Sequence, residues 1–257
     1  MDLGIAGKAA LVCASTGGLG AAVAHALAAE GCRVVFSGRR GALAKEAAGR
    51  YPGCVGVEAD LGSVEGALAL HAAAVDAIGP LDIVVLNGPG PRPGTASLVD
   101  SAAMGVALTS LVLVPQAIAG ATVPHQREQG WGRILAIGSS GVVAPIPGLA
   151  LSNTGRAGLA GYLKSLATEV APDGVTVNML LPGRIDTDRV RSLDAGRADT
   201  TGRSADAVRT ESEAAIPAGR YGRPDEFGAA AAFLCSAAAS YLTGTAIRCD
   251  GGLVPTL

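Results

Sequence analysis

Short apolar runs alternate with longer amphipathic ones along the whole chain. The run at 9–13 is followed by a helical pattern at 19–30, a second run at 33–36, a helical pattern at 43–50 and a third run, Val55–Glu58. That order is βαβαβ. It continues with a helix over Val64–Ile78, a turn at Gly79-Pro80, a strand Ile83–Leu86 and a long helical stretch, and then with strands at 133–137, near 176–180 and at Ala246–Cys249. Alternation of this kind predicts an α/β domain: a doubly wound, seven-stranded parallel sheet with helices on both faces and right-handed crossovers. Ligands of such sheets bind beyond the carboxyl ends of the strands.

Composition narrows this picture. A chain of 257 residues can bury one large core, so a single domain over 1–257 is expected. Aromatic residues make up only 3% while alanine, valine and leucine abound, so helices should pack closely through small side chains. The stretch 187–216 breaks the pattern. It is polar and carries Arg189, Arg191, Arg197, Arg203 and Arg209 among small residues, and it reads either as a mobile flap over a pocket or as a solvated surface insertion. A formal charge of −2 without a basic stripe argues against a nucleic-acid partner. Cys13, Cys32, Cys54, Cys235 and Cys249 are scattered, odd in number and without a CxxC pair. They fit reduced thiols in a reducing compartment, and neither a disulfide frame nor a metal site is expected. With no basic-then-apolar leader and no apolar stretch long enough to span a bilayer, a cytoplasmic protein without a membrane partner is expected.

Candidate chemistry begins after the first strand. Ala14-Ser15-Thr16-Gly17-Gly18-Leu19-Gly20 leads straight into a helix, and glycines before a helix start let free N–H groups and the positive dipole end approach a pyrophosphate. This is the Rossmann-type arrangement. The second strand ends Phe36-Ser37-Gly38-Arg39-Arg40, where a site for NAD would hold an acidic residue on the ribose hydroxyls. Gly38 leaves room instead, Arg39 offers a fork suited to a 2′-phosphate and Arg40 a second contact, so the cofactor expected is NADP(H).

Here the chain resembles the classical short-chain dehydrogenases/reductases, of the bacterial 3-oxoacyl-carrier-protein reductase type, over nearly its full length. The Ala14 to Gly20 loop is similar to the family's TGxxxGxG, with Ala14 in place of its first glycine. Asp60, followed by Leu61, matches the residue that contacts adenine, and Asn87-Gly88-Pro89-Gly90 stands where the family has NNAG. Asn178 through Pro182 and Gly183, then Ile185 and Thr187, matches the segment that embraces the nicotinamide amide. The resemblance therefore implies cofactor contacts at Ser15, Thr16, Gly18, Leu19, Gly20, Arg39, Arg40, Asp60, Leu61, Asn87, Gly88, Arg156, Pro182, Gly183, Ile185 and Thr187. It also implies a homodimer or homotetramer, and the apolar faces at 157–167 and 229–239 are long enough to meet a second copy.

The catalytic pattern departs from the family. Ser139 matches its serine, but thirteen residues on stands Ser152 in place of the tyrosine, and four beyond that Arg156 in place of the lysine: YxxxK has become SxxxR. Ala107-Leu108-Thr109-Ser110 occupies the segment that holds its asparagine. The lysine's charge survives in Arg156, whereas Ser152 is a far weaker acid than a phenol. Tyr162 reads as packing, and His25, His71 and His125 as helix residues without an acid or ligand role. Three readings remain open. One is an NADPH-dependent, ketoreductase-like oxidoreductase of a small or polyketide-like carbonyl substrate, with Ser139, Ser152 and Arg156 as its catalytic residues. The others are a non-redox cyclase or isomerase and a catalytically silent nucleotide-binding protein.

Overall fold

The computed structural model describes residues 2–256. Its sheet has seven strands, all parallel: β1 (Ala9–Val12), β2 (Arg33–Gly38), β3 (Val55–Glu58), β4 (Ile83–Leu86), β5 (Gly132–Ile137), β6 (Val175–Pro182) and β7 (Ala246–Cys249), in the order β3-β2-β1-β4-β5-β6-β7. The chain winds outward from β1 in one direction through β2 and β3, then returns to β4 on the other side of β1. A topological switch point therefore lies between β1 and β4.

Strand alternation divides the core in two. Leu11 and Cys13 face one layer, with Leu70 of α3 (Val64–Ile78), Ile118 of α5 (Val114–Glu128) and Leu159 and Leu163 of α6 (Ala150–Val170). Ala10 and Val12 face the other, with Leu27 of α1 (Gly18–Ala29), Ala44 of α2 (Gly41–Ala48) and Phe227 of α9 (Pro224–Leu234). Each fully buried Leu, Ile or Val side chain contributes about 1.5–3 kcal/mol. Small residues bring helices close: a Cβ on Gly228 of α9 would stand 2.6 Å from the Ala22 carbonyl of α1.

Two findings differ from the sequence expectation. First, the helical run Ser101–Glu128, made of α4 (Ser101–Leu108), a π-helical turn (Thr109–Leu113) and α5, is long and apolar enough by length and composition to cross a membrane. One side is buried in the protein through Ala107, Leu111, Val114, Ile118 and Ala119, whereas Val106 is 71% exposed and Leu113 47%. Unpartnered apolar surface thus gathers here. The outward positions of α6 within 157–167 (Ala157, Gly158, Gly161, Lys164 and Ser165) are small or polar.

Second, the stretch 187–216, read as a flap or a surface insertion, has regular structure. It forms α7 (Asp188–Thr201) and α8 (Ala205–Ala214), with Thr187 and Ser204 capping the two helices. Ion pairs explain its polarity. Arg191 meets Asp186 and Asp188, Arg197 and Arg203 both meet Glu211, and Arg209 meets Glu213 and Asp186. Buried Asp194 anchors the pair to the body, accepting from Arg184 Nη1 at 2.5 Å and from the Tyr221 hydroxyl at 2.7 Å. Removing a buried acceptor leaves its donors unsatisfied, so Asp194→Ala is expected to cost about 2–4 kcal/mol in urea unfolding. It should also open new protease cleavage within 188–214 under native conditions, and an unchanged digest would refute the anchoring role.

Candidate active site

The carboxyl ends of β1 and β4 meet at the switch point. After β1 the chain turns sharply, with Ala14 at φ +48° and Gly18 at +57°. Ala14 is the only residue other than glycine in the left-handed region among those described. It carries the strain, about 1–2 kcal/mol, that a glycine there would avoid. Asn87, just past β4, donates its side-chain amide to the carbonyls of Cys13 at 3.2 Å and Ala14 at 3.1 Å. Gly20 is pressed against this junction: a Cβ there would lie 2.4 Å from the Ala14 carbonyl oxygen and 2.6 Å from Asn87 Nδ2. α1 begins on Gly17 with no side-chain cap and no acidic residue in its first turn. Its first N–H groups are therefore available to an anion. A cradle without Cβ atoms, ending on uncapped N–H groups, fits a dinucleotide pyrophosphate.

Not every predicted contact faces this cradle. Ser15 is fully buried. Its hydroxyl donates to the Val12 carbonyl at 2.8 Å and accepts from Ser37 N at 2.8 Å, and its N–H goes to the Ser37 carbonyl. Ser15 ties β1 to β2, which corrects its assignment as a cofactor contact. Leu61 and Ile185 are 6% and 4% exposed and pack in the two core layers, so neither side chain is free for a ligand. Thr16 is partly exposed and holds Arg40, whose Nη2 donates to its carbonyl at 3.0 Å and its hydroxyl at 3.2 Å. Arg39 is exposed, with no protein partner among the described residues, and Asp60 lies at the surface beyond β3. Gly183 N–H donates to the Cys249 carbonyl, and Thr187 approaches the cradle with its Cγ2 4.0 Å from where a Gly18 Cβ would stand.

The candidate catalytic residues lie on or beside β5, α6 and the π-helical turn. Ser139 follows β5 and its Oγ accepts from Gly141 N–H at 3.1 Å, so it caps the turn Ser140–Val142 while its O–H remains a donor. Ser152 is half-buried, and Arg156, one helical turn on, shares its face of α6. Arg156 Nη1 donates to the Ile137 carbonyl at the end of β5, 2.6 Å away. Burial, reinforced by the charge of Arg189, lowers its pKa to about 10, so it is a cation at neutral pH. The Ala107–Ser110 segment runs alongside: a Cβ on Gly155 would meet Leu111 Cδ1 at 2.7 Å, and one on Gly88 would lie 3.9 Å from the Ser110 carbonyl. Tyr162 is elsewhere, partly buried against the core layer of α3, α5 and α6.

Sequence reasoning missed one residue here. Asn153 exchanges hydrogen bonds with the main chain of Ile146, at 3.3 and 2.9 Å, and so braces the loop between Ser139 and α6. Its place beside Ser152 was its one visible signal. Arg189 reaches from α7 to the loop after β4, donating to the Pro91 carbonyl at 3.4 Å. The cysteines are free, and burial pushes Cys13, Cys32 and Cys235 up to about 12, which leaves them protonated and unreactive.

A doubly wound parallel sheet with a glycine cradle at its switch point, and a serine and a cation beyond β5, defines a dinucleotide-dependent reductase class. The family model described as enoyl-(acyl carrier protein) reductase matches residues 13–254, and the chain belongs to that family. Nodulation protein G of Azospirillum brasilense is 35% identical over 256 residues, covering 96% of this chain and 98% of that protein. The 3-oxoacyl-[acyl-carrier-protein] reductase FabG of Aquifex aeolicus (strain VF5) is 34% identical over 262 residues, with 98% and 100% covered. Among solved structures, L-sorbose reductase from Gluconobacter frateurii, complexed with NADPH and L-sorbose, superposes with a TM-score of 0.93 at 30% identity over the full length of both chains.

Proposed function

We propose that this protein is an NADPH-dependent, ketoreductase-like oxidoreductase of the cytoplasm that reduces a small or polyketide-like carbonyl compound with an atypical catalytic set. The observation that carries this reading is the approach of Thr187 to the Gly18 cradle, its Cγ2 4.0 Å from where a Gly18 Cβ would stand, in a chain whose Arg156 is tied to the end of β5. A nucleotide bound for structure alone would have no need of that approach. Arg39, with Arg40 beside it, holds the 2′-phosphate through charge-assisted hydrogen bonds. The N–H groups at Gly18, Leu19 and Gly20 take the pyrophosphate, with Thr16 at their edge. Asp60 and the main chain of Leu61 meet the adenine, and Asn87 and Gly88 line the ribose. Pro182, Gly183 and the main chain of Ile185, with Thr187, line the nicotinamide side.

When bound, NADPH supplies the hydride. The chain's own residues then stabilise the oxygen that gains charge. Ser139 and Ser152 donate O–H hydrogen bonds to it, and Arg156 grips the ribose hydroxyls and lends its positive charge. Ser152 does not deliver the proton, because an alcohol is several pKa units weaker than a phenol at about 10 and each unit costs about 1.4 kcal/mol. Water or the substrate itself delivers it. Substrates that stabilise the anion left after hydride transfer are therefore favoured, and simple ketones should react slowly, since general acid help is worth about 10²–10⁴-fold.

The exposed apolar side of α4 and α5 around Val106 and Leu113 supports a homodimer or homotetramer. Light scattering at micromolar concentration should give at least twice the chain mass, and a monomer would remove this assignment. Fluorescence titration should show NADPH binding more tightly than NADH, with Arg39→Asp weakening or reversing the preference; equal affinities in the unaltered protein would exclude the phosphate role of Arg39. In kinetics, Arg156→Ala should impair both NADPH affinity and turnover, whereas Ser152→Ala should lower turnover about 10²-fold with NADPH affinity nearly intact. Tyr162→Phe should do little. Loss of reduction in Tyr162→Phe would mean that a phenol is the acid after all.

A further inference from the structure

The cleft holds two cations that the fold leaves without a carboxylate. Arg156 lies on the α6 wall and donates to the Ile137 carbonyl at 2.6 Å; Arg189, in the first turn of α7, donates to the Pro91 carbonyl at 3.4 Å. Arg189 leans over the loop after β4, its Nη2 only 2.8 Å from where a Cβ on Gly90 would stand. Burial first, and then the charge of Arg189, lowers the pKa of Arg156. Every other arginine of α7 and α8 behaves differently: Arg191, Arg197 and Arg209, with Arg203 between the helices, are all paired with Asp or Glu. The segment thus neutralises its arginines except exposed Arg189, the one that reaches the loop after β4. A buried cation such as Arg156, held only by a main-chain carbonyl, is unfavourable until an anion joins it.

We propose that Arg189, backed by the charge of Arg156, binds the carboxylate of an oxo-acid substrate and so fixes its carbonyl against Ser139 and Ser152. This rests on the ketoreductase reading and names its substrate class. The cofactor's charges have their own partners in that reading: the pyrophosphate takes the uncapped start of α1, and the 2′-phosphate takes Arg39 and Arg40. Arg189 is in excess of those needs. Its planar fork suits a carboxylate bidentately.

A cofactor phosphate is the other source of the same chemistry, and a binding experiment that does not depend on turnover separates them. Protein saturated with NADP⁺ is titrated calorimetrically with 3-oxobutanoate and 4-oxopentanoate and with their methyl esters. At least one acid should bind about 10-fold or more tightly than its ester. Arg189→Gln should erase that difference while leaving the ester's affinity and the Kd for NADP⁺ within about 2-fold, and Arg189→Lys should recover part of it. Equal binding of acids and esters, or no binding of either acid, overturns the proposal. So does a loss of NADP⁺ affinity in Arg189→Gln as large as the loss for the acid, which would assign Arg189 to the cofactor. Acids that bind as expected but oxidise no NADPH even over hours with stoichiometric enzyme would sink the reductase reading and not the anion site.

Discussion

The whole cleft depends on one close approach, that of α1 to the end of β1. The Ala14 carbonyl accepts from Asn87, and Gly20 lies so near both that a single added carbon would fall 2.4 Å from the carbonyl oxygen. This contact draws the start of α1 down onto the switch point and aims its uncapped N–H groups into the space between β1 and β4. It joins the two halves of the sheet through a side chain, Asn87, that belongs to the second half. Ala14 at φ +48° shows the conformational cost accepted to hold this geometry. The positions of Thr187, Arg39 and Arg40 around the cradle follow from it.

Charge is distributed with a consistent logic. Where an arginine serves the fold, the fold supplies its acceptors. Arg133 is 2% exposed, yet its guanidinium donates to the carbonyls of Ser236, Gly132 and Gly174 and stacks on Trp131, 4.4 Å from the ring centroid. Arg184 has Asp194, and the surface arginines of α7 and α8 have their carboxylates. Arg39, Arg156 and Arg189 have no carboxylate partner among the described residues, Arg156 and Arg189 being held by the main-chain carbonyls of Ile137 and Pro91. A buried or converging cation without a counter-charge is unfavourable in the empty protein and becomes favourable when an anion is bound.

In the site we propose, a hydroxyl and a guanidinium stand where the family that the sequence resembles has a phenol and an ammonium. Electrostatic support for a developing alkoxide would be retained there, since Ser139 and Ser152 both carry donors and Arg156 remains charged at neutral pH. Acid strength would be what is lost. The site we propose accordingly selects substrates by how well they bear negative charge, and an oxo acid placed by its own carboxylate is consistent with a cleft that positions more than it protonates.

Strand positions were legible in the sequence because β-strands buried on both faces read as short apolar runs, and all seven predicted strands occur within one or two residues of their expected places. The glycine cradle, Arg39 and the SxxxR substitution were legible too, since spacing along one helix or after one strand is a local property. Other features depend on which distant residues meet. The polarity of 187–216 suggested a flap, but only the pairing of its arginines with Asp186, Glu211 and Glu213 makes it two helices held to the body by Asp194. Ser15 belongs to a loop that looks like a nucleotide contact, yet its bonds to Val12 and Ser37 exist only once β1 and β2 lie side by side. Arg189 meets the Pro91 carbonyl, and Arg156 the Ile137 carbonyl, only once the ends of β4 and β5 lie side by side. The chain by itself determined the elements and the local motifs, because periodicity and short spacings encode them. The partners of each charge were decided by tertiary packing, because a counter-ion is chosen by distance in space.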